Sequence, residues 1–287
     1  MSDKFFEGVD QIKARLAGVE CKMPVFYRSA RMFTLIFPAR LGALRSLLPD
    51  RRFKPGTLMP GVGAVHLTAF EYYDCDIGPY NEFAVGALLA SPDFARVPGY
   101  NVTQQLLQNS FHTYILELPV TTEVARKAGV DLYNYPKFLA SIDFQDRPDE
   151  LSCTLAENSE LICRLTGKKL GTKPNGVMQN FCHLYHDRQP QSSEMKVDAL
   201  QYGIAVGPGN ATLELGKTHR VAKLLDRLLL SKTPVLYTYM PEMRAILYGP
   251  EHLSLSLVAR FLEQGLNVSM GTGKAAGERS ATSRAPV

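Results

Sequence analysis

The chain has 287 residues, 45% of them hydrophobic and 21% charged, with a formal net charge of +4. These are ordinary values for a soluble globular protein able to bury a sizeable core. Adjacent basic residues occur only as scattered pairs such as Arg51-Arg52 and Lys168-Lys169, with no basic block, so no nucleic-acid partner is expected. The five cysteines (Cys21, Cys75, Cys153, Cys163, Cys182) are odd in number and scattered, as expected of free thiols in a reducing compartment. The N-terminus lacks the apolar run of a signal peptide, and no stretch of about 18 apolar residues offers a membrane span, so a cytoplasmic location without membrane contact is expected.

In chain order, Phe5, Phe6, Val9, Ile12 and Leu16 fall at helical spacing and predict an amphipathic helix over residues 3–17. Residues 1–22 are therefore expected to form an N-terminal helix and linker, residues 23–267 a single domain, and residues 268–287 a flexible tail. Arg31–Phe37 reads as a strand closed by Pro38, and Leu41, Leu44, Leu47 and Leu48 make a helical stripe stopped by Pro49. Residues 62–73 are strand-like. The strand over 81–90 has two unlike faces: Asn81, Phe83, Val85, Ala87 and Leu89 on one, and Glu82, Ala84, Gly86 and Leu88 on the other. Small residues beside Glu82 leave room in front of its carboxylate, as the wall of a cavity would.

A Pro/Gly-rich loop leads to a short helix near 103–109 and a strand over 111–118. Thr122 can cap a short helix ended by Gly129. Short β-like runs then follow near 138–145, 151–156, 161–166, 177–185 and 196–206, and again at Thr212–Leu215. Their number predicts an antiparallel sheet that closes or nearly closes on itself, an α+β protein that is mostly β with flanking helices. Val221, Leu224, Leu225, Leu228 and Leu229 mark the clearest helix; residues 235–248 return to strand, broken at Pro241, and a last helix is expected near 251–264.

The chemistry centres on Asp131-Leu-Tyr-Asn-Tyr-Pro-Lys-Phe138. Tyr133, Tyr135, Phe138 and Leu139 can exclude water around Lys137, while Pro136 stiffens the approach. A desolvated ammonium loses its proton more readily, and a free amine is what imine formation with a ketone requires. The bland alternative is a lysine that buries only its stem and keeps its charge in water. On the desolvation reading, Lys137→Met is expected to be tolerated or stabilising.

Other motifs are weaker. Gly271-Thr-Gly-Lys274 lacks the first glycine of a phosphate loop. Cys182-His183-Leu-Tyr-His186-Asp187 contains metal-ligand types, but His183 and His186 fall on opposite faces of a strand, and no metal is expected. There is no G-x-S-x-G elbow.

With Lys137 and Glu82 both in view, the chain resembles the acetoacetate decarboxylase family over roughly residues 22–250. The residues that carry the resemblance are Arg31–Phe37, Ala43–Pro49, Gly78-Pro-Tyr-Asn-Glu82-Phe, Glu123 to Gly129, Tyr135-Pro-Lys137, Thr212-Leu-Glu-Leu and the Leu228-to-Val235 run. The resemblance implies a cone-like β-barrel with helices outside, assembled as homo-oligomers, acting on a small oxo acid without metal or organic cofactor. It implies Lys137 as the Schiff-base lysine and Glu82 as a group that positions substrate or handles a proton. Tyr80, Tyr135 and Phe138, together with Arg31 or Arg28, are the expected substrate contacts.

Two departures stand out. Phe138 occupies the place of a second lysine in the family's best-known members, leaving desolvation to act alone on Lys137. Ala30 falls where the family has a carboxylate-binding arginine. On a strand Arg31 faces away from Ala30, and Arg28 shares its parity one step earlier. Three functional classes stay open: decarboxylation of a β-keto acid, aldol or dehydration chemistry through the same Schiff base on another oxo acid, and ligand binding without turnover.

Overall fold

The computed structural model describes residues 4–16 and 19–250. In chain order the elements are β1 (Ile12–Leu16), β2 (Val19–Met23), β3 (Val25–Arg40), α1 (Leu41–Leu47), β4 (Thr57–Met59), β5 (Val62–Cys75) and β6 (Tyr80–Leu88). Then come α2 (Tyr100–Leu107), β7 (Ser110–Glu117), α3 (Glu123–Tyr133), β8 (Ser141–Asp146), β9 (Glu150–Glu157) and β10 (Glu160–Lys168). The last are β11 (Gly176–His186), β12 (Gln189–Val206), β13 (Ala211–Leu215), α4 (Arg220–Leu228) and β14 (Leu236–Leu247).

Strands β3, β14, β12, β11, β7, β6 and β5 hydrogen-bond in that order, and β5 pairs back onto β3. The result is a closed seven-stranded barrel, with β4 added beside β5. All neighbours in the barrel are antiparallel except β7 and β11, so the sheet is mixed by one pair. Closure removes the open edges that would otherwise invite pairing with other chains.

A second sheet, β13-β10-β9-β8, covers one outer face of the barrel. Between the two layers lie Phe33, Leu35 and Phe37 of β3, Leu67 of β5 and Phe83 and Val85 of β6, all without solvent exposure. They meet Leu151 and Leu155 of β9, Ile162 and Leu165 of β10, and Leu225 and Leu228 of α4. Each large apolar side chain buried there contributes roughly 1.5–3 kcal/mol. This layer fixes the barrel register, because a one-residue slip of β6 would turn Glu82 into it and Phe83 into the interior.

Several sequence expectations need correction. The helix expected over residues 3–17 does not form: residues 4–8 are turns and β1 pairs with β2 as a hairpin. The apolar spacing there serves packing instead, with the Phe6 ring stacked on Phe26 at 4.7 Å. Pro38 does not close β3, which continues to Arg40, and Pro241 lies at a register shift inside β14 between Met240 and Met243. Bulges are where a strand accepts proline. The helix expected near 251–264 and the tail beyond it lie outside the described residues. Gly129 does not end α3, which runs on to Tyr133 and stops at Asn134 in the left-handed conformation.

Candidate active site

The barrel interior is built in rows that the register defines. Ile36 lies opposite His66 and Leu236, Thr34 opposite Thr68 and Thr238, and Met32 opposite Phe70 and Met240. Phe70 in turn lies opposite Glu82. Side chains directly opposite share a face, so each set forms one layer of the interior, and successive layers are about 7 Å apart. They enclose a cavity of about 160 Å³ whose wall includes Glu82, Ala84, Tyr135, Lys137, Phe70 and Met178. An apolar cavity of about 150 Å³ is enough to hold benzene. Apart from Lys137, no lysine or arginine lines it among the described residues.

Lys137 reaches this cavity through a ladder of short backbone contacts. Phe83 N–H donates to Pro119 O (3.0 Å), Leu118 N–H to Pro136 O (3.1 Å) and Val120 N–H to Phe138 O (2.9 Å). Residues 118–120 thus tie the lysine segment to the strand that carries Glu82. Upstream, Thr122 caps α3 by accepting from Ala125 N–H, and Asn134 turns the chain out of the helix. The lysine stem then crosses Gly129 so closely that a Cβ there would lie 2.3 Å from Lys137 Cε. The glycine read as a helix stop is instead the floor under the lysine.

Lys137 Nζ donates to Glu82 Oε2 at 2.6 Å, with the two side chains only 7% and 11% exposed. The sequence expectation that desolvation acts alone on Lys137 is therefore incomplete. A proton on Nζ points at the carboxylate across this contact. Moving it from Nζ to Oε2 leaves a nucleophilic amine and a carboxylic acid without changing the net charge of the cavity.

Tyrosines close the far end. Nζ sits 5.8 Å from the centre of the Tyr80 ring, Tyr80 and Tyr27 hydroxyls are 3.1 Å apart, and Tyr72 OH donates to Glu82 Oε1 at 3.5 Å. Burial first, and the charge of Glu82 second, push these three phenols well above their usual range, so they remain hydrogen-bond donors. Burial pushes the Cys182 thiol up to about 12, which keeps it protonated and unreactive. Tyr135 forms part of the cavity wall, stacked on Tyr133 and hydrogen-bonded to Ser193 Oγ at 2.6 Å.

The structure thus brings together Lys137, Glu82, Tyr80 and Tyr135. It does not bring Phe138, Arg31 or Arg28. Phe138 alternates away from Lys137 into the layer between the sheets, beneath the Arg220 guanidinium at 5.0 Å. Arg31 points outward from β3, paired with Glu71 at 2.6 Å and with Asp146. Arg28 pairs with Asp76 at 2.7 Å, outside the cavity, because register shifts around Ser29 break the alternation that sequence parity assumes. His183 contacts His112 at 2.9 Å while His186 faces Asp187. No three His, Cys, Asp or Glu side chains gather as metal ligands among the described residues.

Sequence reasoning missed Tyr27, Tyr72, His66 and the threonines. His66, Thr68 and Tyr72 share interior parity on β5, but Thr34, Thr113 and Thr238 lie on β3, β7 and β14 and register shifts separate Tyr27 from Thr34, so the set becomes visible only once the strands are paired.

Comparison with known proteins agrees with this architecture. A family model described as acetoacetate decarboxylase (ADC) matches residues 16–240. A solved acetoacetate decarboxylase superposes with a TM-score of 0.54 at 17% identity, covering 79% of this chain and 87% of its own. The acetoacetate decarboxylase of Legionella pneumophila subsp. pneumophila str. Philadelphia 1 gives 0.54 at 14% identity, covering 79% and 86%. The enduracididine biosynthesis enzyme MppR, complexed with pyruvate, gives 0.53 at 12% identity, covering 80% and 90%. At these identities the likeness is one of fold. Among curated protein sequences none matches the chain. With a family model spanning most of its length, the chain belongs to the acetoacetate decarboxylase family.

Proposed function

We propose that the protein is a lyase that decarboxylates a β-keto acid through a Schiff base on Lys137, without metal or organic cofactor. The observation that carries this reading is the 2.6 Å contact between Lys137 Nζ and Glu82 Oε2 inside an apolar cavity. Glu82 takes the proton from Nζ, and the neutral amine attacks the keto carbon. The carbinolamine loses water with the proton returned by Glu82, leaving a protonated imine. The bond to the carboxyl carbon then breaks, its electron pair moves into the imine, and CO2 departs from an enamine. Protonation of the enamine carbon and hydrolysis release the ketone and restore the amine. The buried phenols of Tyr27, Tyr72 and Tyr80 supply donors around the reacting groups, and the homo-oligomer implied by the family is part of the proposal.

A second reading keeps the Schiff base but makes or breaks other bonds, as in aldol or dehydration chemistry. What favours it is Phe138, which stands where the family's best-known members carry a second lysine. A third, ligand binding without turnover, leaves the Lys137–Glu82 pair without a use. Incubation with acetoacetate, borohydride reduction and mapping by mass, with CO2 followed in parallel, separates them. An adduct on Lys137 with CO2 is expected. An adduct without CO2 selects the second reading, and no adduct with any oxo acid overturns both.

A further inference from the structure

One layer above Glu82 the barrel wall carries a connected set of polar side chains. Thr34 Oγ1 is 2.9 Å from Thr68 Oγ1, which is 3.1 Å from His66 Nδ1. His66 Nε2 is 2.8 Å from Thr113 Oγ1, which donates to Ala87 O at 3.2 Å. These residues come from β3, β5 and β7, and all four line the cavity.

Each hydroxyl has one proton and a neutral imidazole has one N–H, so the direction of this chain can be worked out. Thr113 spends its proton on Ala87 O and must accept from His66 Nε2–H. His66 Nδ1 is then an acceptor, Thr68 donates to it, and Thr34 donates to Thr68. Burial holds the His66 pKa down at about 4, in keeping with the neutral ring that this assignment needs. The relay therefore ends at Thr34 with an oxygen that can only accept a further hydrogen bond.

Directly opposite Thr34 in the register is Thr238, 7% exposed and also in the cavity wall. Its hydroxyl makes no hydrogen bond among the described residues. An acceptor and an unused donor thus face the same apolar space from neighbouring strands.

We propose that Thr34 and Thr238, backed by the Thr68–His66–Thr113 relay, form a second binding subsite, which takes a hydroxyl group on the aliphatic tail of the oxo substrate held at Lys137. A hydroxyl donates to Thr34 Oγ1 and accepts from Thr238 Oγ1–H, which neither a carbonyl nor a carboxylate does. The tail lies along the barrel toward Ile204 and Val206. These lie opposite Thr238 and Leu236, are 43% and 77% exposed, and form an apolar rim. The subsite names the substrate class for the Schiff-base reading and rests on it.

The test uses straight-chain β-keto acids of increasing length, each with and without a terminal hydroxyl. Half-saturation for the borohydride-trapped adduct on Lys137 is measured for every pair. At one chain length the hydroxylated acid is expected to saturate the protein at about a tenth of the concentration of its alkyl partner, the worth of one well-placed hydrogen bond. Thr238→Val and Thr34→Val should each collapse that ratio, and Thr238→Ser should restore it. A ratio near one at every length in the parent protein overturns the subsite while adducts on Lys137 leave the Schiff-base reading standing. Should no acid form an adduct, calorimetric binding of the same pairs decides. A hydroxyl preference there keeps the subsite and sinks the Schiff-base reading, whereas equal binding sinks both.

Discussion

Gly129→Ala tests whether the placement of Lys137, rather than its mere presence, sets reactivity. Gly129 is a buried residue within α3, and an added Cβ would lie 2.3 Å from Lys137 Cε and 2.4 Å from Cδ. Ordinary contact between carbons is about 3.5–4.0 Å, so the stem must retreat by more than 1 Å. The obstructing atoms belong to a flexible side chain, so the lysine yields rather than the backbone. In a helix interior alanine is favoured over glycine by about 1 kcal/mol, which offsets much of the local crowding. Displacing a reacting group by about 1 Å costs on the order of a hundredfold in rate. The expected outcome is a variant that melts within a few degrees of the parent but traps acetoacetate on Lys137 about a hundredfold more slowly. Trapping at the parental rate, with the fold intact, would refute the account of Gly129 as the floor of the lysine.

Lys137→Met should abolish the adduct and, against the sequence expectation, destabilise the protein. It leaves the buried Glu82 carboxyl without its 2.6 Å partner, which costs about 3 kcal/mol, or a fall in Tm of roughly 6–12 °C. Adding Glu82→Leu should recover most of that loss in thermal melts. Acid should weaken the fold through His66 and His183, which burial holds near 4 while an unfolded histidine titrates at about 6.5. Between those values the unfolded chain takes up protons that the folded chain refuses, so stability is full above about pH 6.5 and falls as pH drops toward 4. The loss is on the order of 3 kcal/mol for His66, and His66→Gln should flatten the melting profile over that range without removing the part due to His183. Gly216→Ala should destabilise by about 2 kcal/mol or more, because its Cβ would lie 1.8 Å from the Leu161 carbonyl oxygen, a backbone atom with no room to retreat. A parental Tm for that variant would show that the β10–β13 junction is looser than its geometry states.

How far the sequence reveals the site depends on whether the information lies within one strand or between several. The two faces of β6 can be read directly, since Glu82 and Ala84 line the cavity while Phe83 and Val85 are buried against the outer sheet. The α4 stripe is equally plain, with Val221, Leu225 and Leu228 buried. Arg28 defeats parity because the register slips beside it, and Arg31 is drawn outward to carboxylates distant in sequence. The Phe5 and Phe6 spacing imitates a helix but serves aromatic packing onto Phe26. The threonine–histidine relay has no sequence signal at all. Thr34, His66 and Thr113 become neighbours only when three strands pair, and each alone reads as an ordinary strand residue.

The charge content of the cavity bears on which reaction the family fold supports here. Among the described residues only Lys137 and Glu82 bring full charges into the wall, and they do so as a pair that can be neutralised by moving one proton. A β-keto acid bound as its protonated imine replaces the lysine ammonium by an iminium cation and adds a carboxylate beside it, in a medium that solvates neither well. Loss of CO2 removes both at once, leaving a neutral enamine, so the step that breaks the carbon–carbon bond is also the step that relieves the electrostatic cost. A fixed arginine in this wall would hold the carboxylate in its charged form and oppose that loss. Aldol chemistry, by contrast, keeps its carboxylate to the end and gains nothing from a wall without a cation. The absence of arginine from the described lining therefore weakens substrate capture but favours the decarboxylation step. On this argument, placing an arginine in the wall by Met32→Arg should tighten binding of acetoacetate and slow release of CO2. Faster release in that variant would count against decarboxylation as the reaction this cavity favours.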